Sequence, residues 1–266
     1  MDYLGRDDAP FSSDIWSAVD SKVVSAASSV LAGRRFIPVS GPLGGGVQFA
    51  KIDSPGKSET FDDGFVKTTN RVIKEIPQLY SDFWLYWRDM EAAENVDLSP
   101  AIRAAQNLAL TEDKMIFYGI PALNLDGLLT AKNTVAIKRG DWSKGEGSYA
   151  DVATGITKLE QSNYLGNYTL VLSPDLYLQL QRIQPGTGLL EIDRIKSMLN
   201  NRVFKSPVLK EGTAFMVCAQ SYCLDLLLGQ DIATGYVELM DFNHHFRVTE
   251  TALLRLKCPD SVIIFK

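Results

Sequence analysis

Histidine and cysteine are both scarce in this chain of 266 residues, which has two histidines, His244 and His245, and three cysteines, Cys218, Cys223 and Cys258. An odd cysteine count without framework spacing excludes a disulfide scaffold and suits a reduced compartment. There is no HExxH and no CxxC, so zinc has no support. The two histidines are adjacent in a predicted strand, where neighbours point to opposite faces and cannot serve one metal without a bend. No GxSxG elbow occurs. Gly44-Gly45-Gly46 and Gly186-Thr187-Gly188 are not followed by Lys-Ser/Thr and read as loop punctuation. Asp7-Asp8 and Asp62-Asp63 read as solvated charge, and no catalytic site is expected.

A basic excess is also missing. Lys and Arg number 27 against 32 Asp and Glu, a net charge of −5, and the basic residues are scattered. That argues against a nucleic-acid partner. No apolar run approaches the roughly 20 residues of a membrane span. Met1–Pro10 carries Asp2, Asp7 and Asp8 and no apolar leader region. A cytoplasmic chain without a membrane partner is expected, with the Asn167-Tyr168-Thr169 sequon idle. Hydrophobic residues at 45% and charged residues at 22% are ordinary globular usage. A chain of this length buries enough surface to fold without metal or disulfide.

The pattern that is present mixes helices and strands without regular βαβ units, an α+β reading. Residues 13–32 predict an amphipathic helix with Trp16, Val19, Val23, Ala26, Ala27, Val30 and Leu31 on one face, capped by Ser12 or Ser13 and closed by a left-handed Gly33. Residues 48–76 alternate polar and apolar without helical period, suiting two strands around a Ser54–Ser58 tip. A long two-stranded arm is marginal alone in water, so its partners are expected on another subunit. The aromatic stretch 77–91, with Tyr80, Phe83, Trp84, Tyr86 and Trp87, reads as core. Ser99-Pro100 predicts the start of a helix carrying Ile102, Ala105, Leu108, Ala109, Met115 and Ile116 on one face and stopped by Gly119. Helices are predicted over 148–162, from Ser173-Pro174 to about Ile183, and through Leu189–Leu199. Strands are predicted at 168–172, 203–209, 213–219, 223–228, 236–240, 245–256 and 262–265. The cysteines read as small core residues.

Several segments then resemble one family. Tyr3-Leu4-Gly5-Arg6, Ala9-Pro10-Phe11, Trp16, Asp20 and Gly33-Arg34-Arg35-Phe36 are similar to the start of family 1 encapsulins. Phe83, Leu85, Arg88-Asp89-Met90-Glu91, the run Glu112–Gly119, the strand Gly166–Leu172, Leu228–Tyr236 and Val248-Thr249-Glu250-Thr251 follow in the family's order. Asn167 stands where the family often has proline. The resemblance implies an HK97-like capsid protomer. It assigns 1–36 to an N-terminal arm and cargo-facing helix, 48–76 to an extended E-loop, 37–47, 77–130 and 227–266 to the P-domain, and 131–226 to the A-domain.

It further implies a self-assembling, icosahedral, cytoplasmic shell, a homo-oligomer with sixty copies favoured. Such a shell encloses a cargo enzyme of the ferritin-like (iron-storage) or peroxidase type, docked through a C-terminal targeting peptide. The peptide groove maps onto Ala27, Val30, Leu31, Arg34, Asp231, Ile232 and Tyr236, with the small Ala27 leaving room for a larger anchor. The fivefold pore loop maps onto Gln184, Pro185, Gly186, Thr187 and Gly188, a polar and uncharged lining. Some members bind flavin through an aromatic residue just after the E-loop. Here the register puts Arg88 at that position, beside Trp84 and Trp87, and no cofactor is expected. The alternatives are a viral major capsid protein and a bacteriocin or protease, the last without support from any catalytic motif.

Overall fold

Helical periodicity, alternation and turn residues resolve into six helices and thirteen strands in the computed structural model, which describes residues 3–52, 59–62, 65–68, 72–92, 96–144, 146–184 and 188–266. In order these are α1 (Ser13–Val30), β1 (Val39–Ser40), β2 (Phe49–Ile52), β3 (Glu59–Asp62), β4 (Phe65–Thr68), β5 (Val72–Glu75), β6 (Gln78–Leu85), α2 (Trp87–Ala92) and α3 (Ser99–Tyr118). There follow β7 (Val135–Ile137), α4 (Gly147–Gln161), β8 (Tyr168–Leu172), α5 (Pro174–Gln179), α6 (Glu191–Met198), β9 (Val203–Lys205), β10 (Ala214–Cys218), β11 (Leu224–Met240), β12 (Asn243–Leu256) and β13 (Val262–Phe265).

Two main sheets organise the chain. One has the order β1-β11-β12-β6 and packs its apolar face on α1 and α3; the other has the order β7-β13-β10-β8-β9. The chain crosses from the second to the first between β10 and β11 and returns between β12 and β13. β13, at the end of the span 227–266 expected in the P-domain, has all four residues buried and pairs with β10 and β7 in the second sheet. The segments expected as separate strands at 223–228 and 236–240 are one strand, β11. Its glycines Gly229 and Gly235 lie against Thr251 and the Leu4 backbone instead of ending it. β11 turns into β12 through Asp241 and Phe242, both at positive φ (52° and 65°), the twist a two-residue hairpin requires.

Other expectations also move. β2 pairs with β5 and β3 with β4, and the tip expected at Ser54–Ser58 lies outside the described residues. Of the aromatic stretch, Phe83 is core while Tyr80, Tyr86 and Trp87 are exposed, because alternation along β6 sends Tyr80 to the uncovered face. The helix expected to reach Ile183 ends at Gln179, and the strand expected over 203–209 ends at Lys205. Ser99 lies inside α3, its N–H and hydroxyl donating to Asp97 Oδ1 at 2.9 and 2.7 Å, so Asp97 supplies the cap. Gly119 does stop α3, at φ 74°. The three cysteines are buried and free.

Gly33 has a different role from the one expected. α1 ends at Leu31, and Gly33 opens a 3-10 turn, Gly33–Arg35. A Cβ there would stand 2.5 Å from Ile116 Cδ1, so glycine permits the turn to press onto α3. The turn is held by Asp113, whose carboxylate accepts from Ala32 N–H at 3.0 Å and Gly33 N–H at 2.9 Å. Burial lifts the Asp113 carboxyl to about 6 from 3.8, against the pull of those two N–H groups. Folding thus favours the protonated acid. That contribution is fully present below about pH 4 and is lost as pH rises through about 6. It amounts to at most about 3 kcal/mol. The thermal midpoint of the wild type minus that of Asp113→Asn should therefore fall as pH is raised from about 4.5 to 7; a pH-independent difference would overturn this account.

Candidate functional site

α1 leaves one edge of its C-terminal half uncovered. Val23, Ala26 and Ala27 face the core, whereas Val24 and Ser28 are exposed beside them, in a row (i, i+4, i+7) that ends at the buried Leu31. Across from this row the β11 ladder is broken. Gln230 pairs with Thr251 and Ala233 with Thr249, which leaves Asp231 and Ile232 unpaired opposite Glu250. A bulge of this kind bends the strand and re-aims its side chains. Val24, Ser28, Leu31, Arg34, Arg35, Asp231 and Ile232 enclose a groove of about 330 Å³.

The groove is held open by buried charge. Arg34 Nε donates to Glu112 at 2.8 Å and Nη1 donates to Asp231 at 2.6 Å. Nη2 reaches both Glu112 and Glu250 at 2.5 Å. Glu112 and Glu250 are fully buried, and Asp231 is exposed. Burial first, and then the charge of Glu112, push the Glu250 carboxyl well above the ordinary carboxylate range. The shift runs toward the neutral acid. Asp231 Oδ1 also accepts the Ile232 N–H at 2.8 Å, fixing the bulge.

Of the residues expected in the groove, the structure brings Leu31, Arg34, Asp231 and Ile232 together. Ala27 is fully buried in the core beneath α1, and Val30 packs, half-buried, on the core. Tyr236 is elsewhere. Its N–H donates to Leu4 O at 2.7 Å, its hydroxyl meets His244 Nδ1 at 3.3 Å, and with Tyr3 it walls a separate cavity of about 740 Å³. Val24 and Ser28 were missed, although their helical spacing with Leu31 carried the signal. In the expected pore loop, Pro185, Gly186 and Thr187 lie outside the described residues. Gln184 N–H donates to Leu189 O at 2.8 Å, and the Gln184 side chain is buried toward Glu146. The exposed residues flanking the loop are the apolar Ile183 and Leu189.

Nothing in the groove is a nucleophile with a base. Among the described residues no group of three His, Cys, Asp or Glu side chains is placed to hold a metal ion. His244 and His245 do point apart: His245 stacks on Trp84 at 4.3 Å between Asp82 and Glu238, and His244 lies beside Tyr236. Arg88 lies over the Trp87 ring at 5.5 Å. A preformed cleft with apolar walls and a few fixed polar groups is suited to binding.

Comparison with known proteins points the same way. A family model described as encapsulating protein for peroxidase matches residues 1–253. The type 1 encapsulin shell protein EncA of Myxococcus xanthus is 36% identical, over 98% of this chain and 95% of its own. A diheme-cytochrome-encapsulin shell fusion protein of Kuenenia stuttgartiensis is 33% identical, over 93% of this chain and 71% of its own. Among solved structures, a virus-like particle from Pyrococcus furiosus superposes with a TM-score of 0.77 at 18% identity, covering 95% of this chain and 99% of its own. The capsid of the myovirus phage XM1 superposes with a TM-score of 0.65 at 14% identity, over 87% and 90%. The fold is thus the HK97-type capsid fold, and by the family match over most of its length the chain belongs to the encapsulins.

Proposed function

We propose that this chain, a structural shell protein and not an enzyme, closes into a sixty-copy icosahedral shell in the cytoplasm and holds a cargo enzyme by a short C-terminal peptide seated between α1 and the β11 bulge. The observation that carries the docking reading is the groove, whose walls are fixed before any ligand arrives by Arg34 and three carboxyls. Preorganised walls spare a short peptide the cost of ordering the site. Leu31, Val24 and Ile232 supply apolar wall. Arg34 is committed to its carboxyls, which leaves Asp231 and Arg35 as the polar rim. The encapsulin reading is favoured over a viral capsid by the full-length match to shell proteins.

Cargo of the ferritin-like or peroxidase type fits this reading, and the relative fused to a diheme cytochrome supports the enclosure of redox proteins generally. The loop 183–190 is the candidate for the fivefold pore. Its exposed flanks, Ile183 and Leu189, narrow the approach with apolar surface.

Sixty chains of 29.4 kDa give a particle of about 1.8 MDa, and light scattering at micromolar protein should find it; a stable monomer or dimer would refute the shell. Ile232→Asp places a second charge beside Asp231 and desolvates it under the peptide. Loading of a tail-fused fluorescent protein should drop by at least about tenfold, equivalent to about 1.4 kcal/mol, while empty shells still form. Normal loading would remove this groove as the dock. Thr187→Trp should slow substrate entry to an encapsulated enzyme, seen as a raised apparent KM with the free enzyme unchanged; unaltered kinetics would place the main gate elsewhere.

A further inference from the structure

The passages between the sheets at β10–β11 and β12–β13 lie side by side, and all three cysteines are there. Cys218 ends β10, Cys223 precedes β11, and Cys258 lies between β12 and β13. Cys223 O accepts both Lys257 N–H at 2.8 Å and Cys258 N–H at 3.0 Å, which fixes the crossings against each other. The turn that separates Cys218 from Cys223 is tight: Gln220 N–H donates to Cys218 O at 2.9 Å, and Gln220 O accepts Cys223 N–H at 2.8 Å. The turn sets these two side chains near enough to alter each other's ionisation. Cys258 Sγ faces Tyr222 O at 3.7 Å and also neighbours Cys223.

All three cysteines are buried, and Cys218 lies beside two half-exposed residues. Cys218 Sγ lies 4.0 Å from Leu165 O, and the Tyr222 hydroxyl donates to that same carbonyl at 3.4 Å. Tyr222 and Leu165 are themselves 51% and 61% exposed. Rotation of one half-exposed tyrosine ring would uncover the thiol. These groups play no part in the groove, and among the described residues they form no metal site.

We propose that Cys218 and Cys223 are an oxidation site of the subunit, at which a small hydroperoxide converts the pair to a disulfide behind the Tyr222 cover. The proton distribution suits this chemistry. Hydrogen bonding from Cys223, with further help from Tyr222 and the Gln220 N–H, brings the Cys218 thiol to about 7 against the effect of burial. The same Cys218 contact drives the Cys223 thiol well up, so Cys223 keeps its proton. The thiolate is the nucleophile in such oxidations. Cys218 sulfur attacks the outer peroxide oxygen and the O–O bond breaks. The departing alkoxide takes the proton of Cys223 and leaves as alcohol. The new Cys223 thiolate attacks the Cys218 sulfenic sulfur, the S–O bond breaks, and hydroxide leaves to be protonated to water. The two sulfurs have each lost one electron, and the peroxide has gained both.

The test uses assembled shells treated with hydrogen peroxide, quenched, denatured, alkylated and mapped by mass spectrometry. The expected product is a Cys218–Cys223 bond with Cys258 alkylated, formed at a rate that rises with pH through about 7. Cys223→Ser should stop at a Cys218 sulfenic acid that dimedone traps. Tyr222→Ala should speed the reaction several-fold. Should that variant fail to assemble, Tyr222→Phe, which keeps the ring and removes the hydroxyl that lowers the Cys218 thiol, should slow it. Complete alkylation of all three cysteines, after treatment that oxidises the guanidine-unfolded chain, overturns the proposal. So does a bond from Cys223 to Cys258, or a rate indifferent to both Tyr222 variants.

Discussion

The Arg34 guanidinium touches carboxyls from three directions: Glu112 on α3, Glu250 on β12 and Asp231 on the bulge of β11. One residue earlier the chain is held by Asp113, again from α3, through the N–H groups of Ala32 and Gly33. The end of α1, the middle of α3 and the first sheet therefore meet through charge as well as apolar packing. Apolar contacts alone would allow α1 to slide or rotate by small amounts at little cost, because hydrophobic attraction is not directional. A planar guanidinium bonded on three sides permits no such slip. A buried ion network of this kind is poor evidence for extra stability, since desolvation offsets most of its attraction. Its value here is position. Loss of one partner would leave uncompensated charge in the core, so the arrangement is nearly all-or-none.

Much of this was written in the sequence at places that composition does not reveal. On α3 the buried stripe runs Ala101, Ala104, Ala105, Leu108, Ala109, Glu112, Asp113 and Ile116. Two acids occupy positions that helical periodicity reserves for the core. Likewise Glu250 falls on the alternation Phe246, Val248, Ala252, Leu254 along β12, all buried. Acids on an apolar stripe imply a buried cation, and Arg34 supplies it. Such a pattern is legible from periodicity, whereas the identity of the partner is not, because 78 and 216 residues separate Arg34 from Glu112 and Glu250.

Where the sequence misled, regular geometry was interrupted. Ile232 and Tyr236 are an even number of residues apart, and on an unbroken strand they would share a face. The register shift between Gln230 and Ala233 breaks that parity, so Ile232 lines the groove and Tyr236 joins the N-terminal segment. Bulges leave a weak mark in a single sequence. Gly229 and Gly235 gave one, but glycine in a strand pattern also reads as a strand end, and that is how the single strand β11 came to look like two. The long helices were easier, because α1 and α3 repeat their apolar period over 18 and 20 residues. The family resemblance supplied the capsid fold, which no local pattern could have identified.

The same geometry constrains how the groove can discriminate. An arginine at the edge of a peptide site invites the reading that it recognises a carboxylate. Here Arg34 has its fork taken up by the protein's own carboxyls, and the burial of Glu112 and Glu250 means that a ligand cannot displace them without leaving bare charge behind. Selection of the proposed peptide would then come from the fit of apolar side chains between Val24, Leu31 and Ile232, with Asp231 and Arg35 at the rim setting orientation. An apolar pocket distinguishes one methylene by only about 1–3 kcal/mol, so a dock there would be modestly selective. A closed shell does not need more from each site. In the proposed shell, tails held inside would meet many identical grooves at high local concentration, and a modest affinity repeated over many copies would retain what a single copy would release.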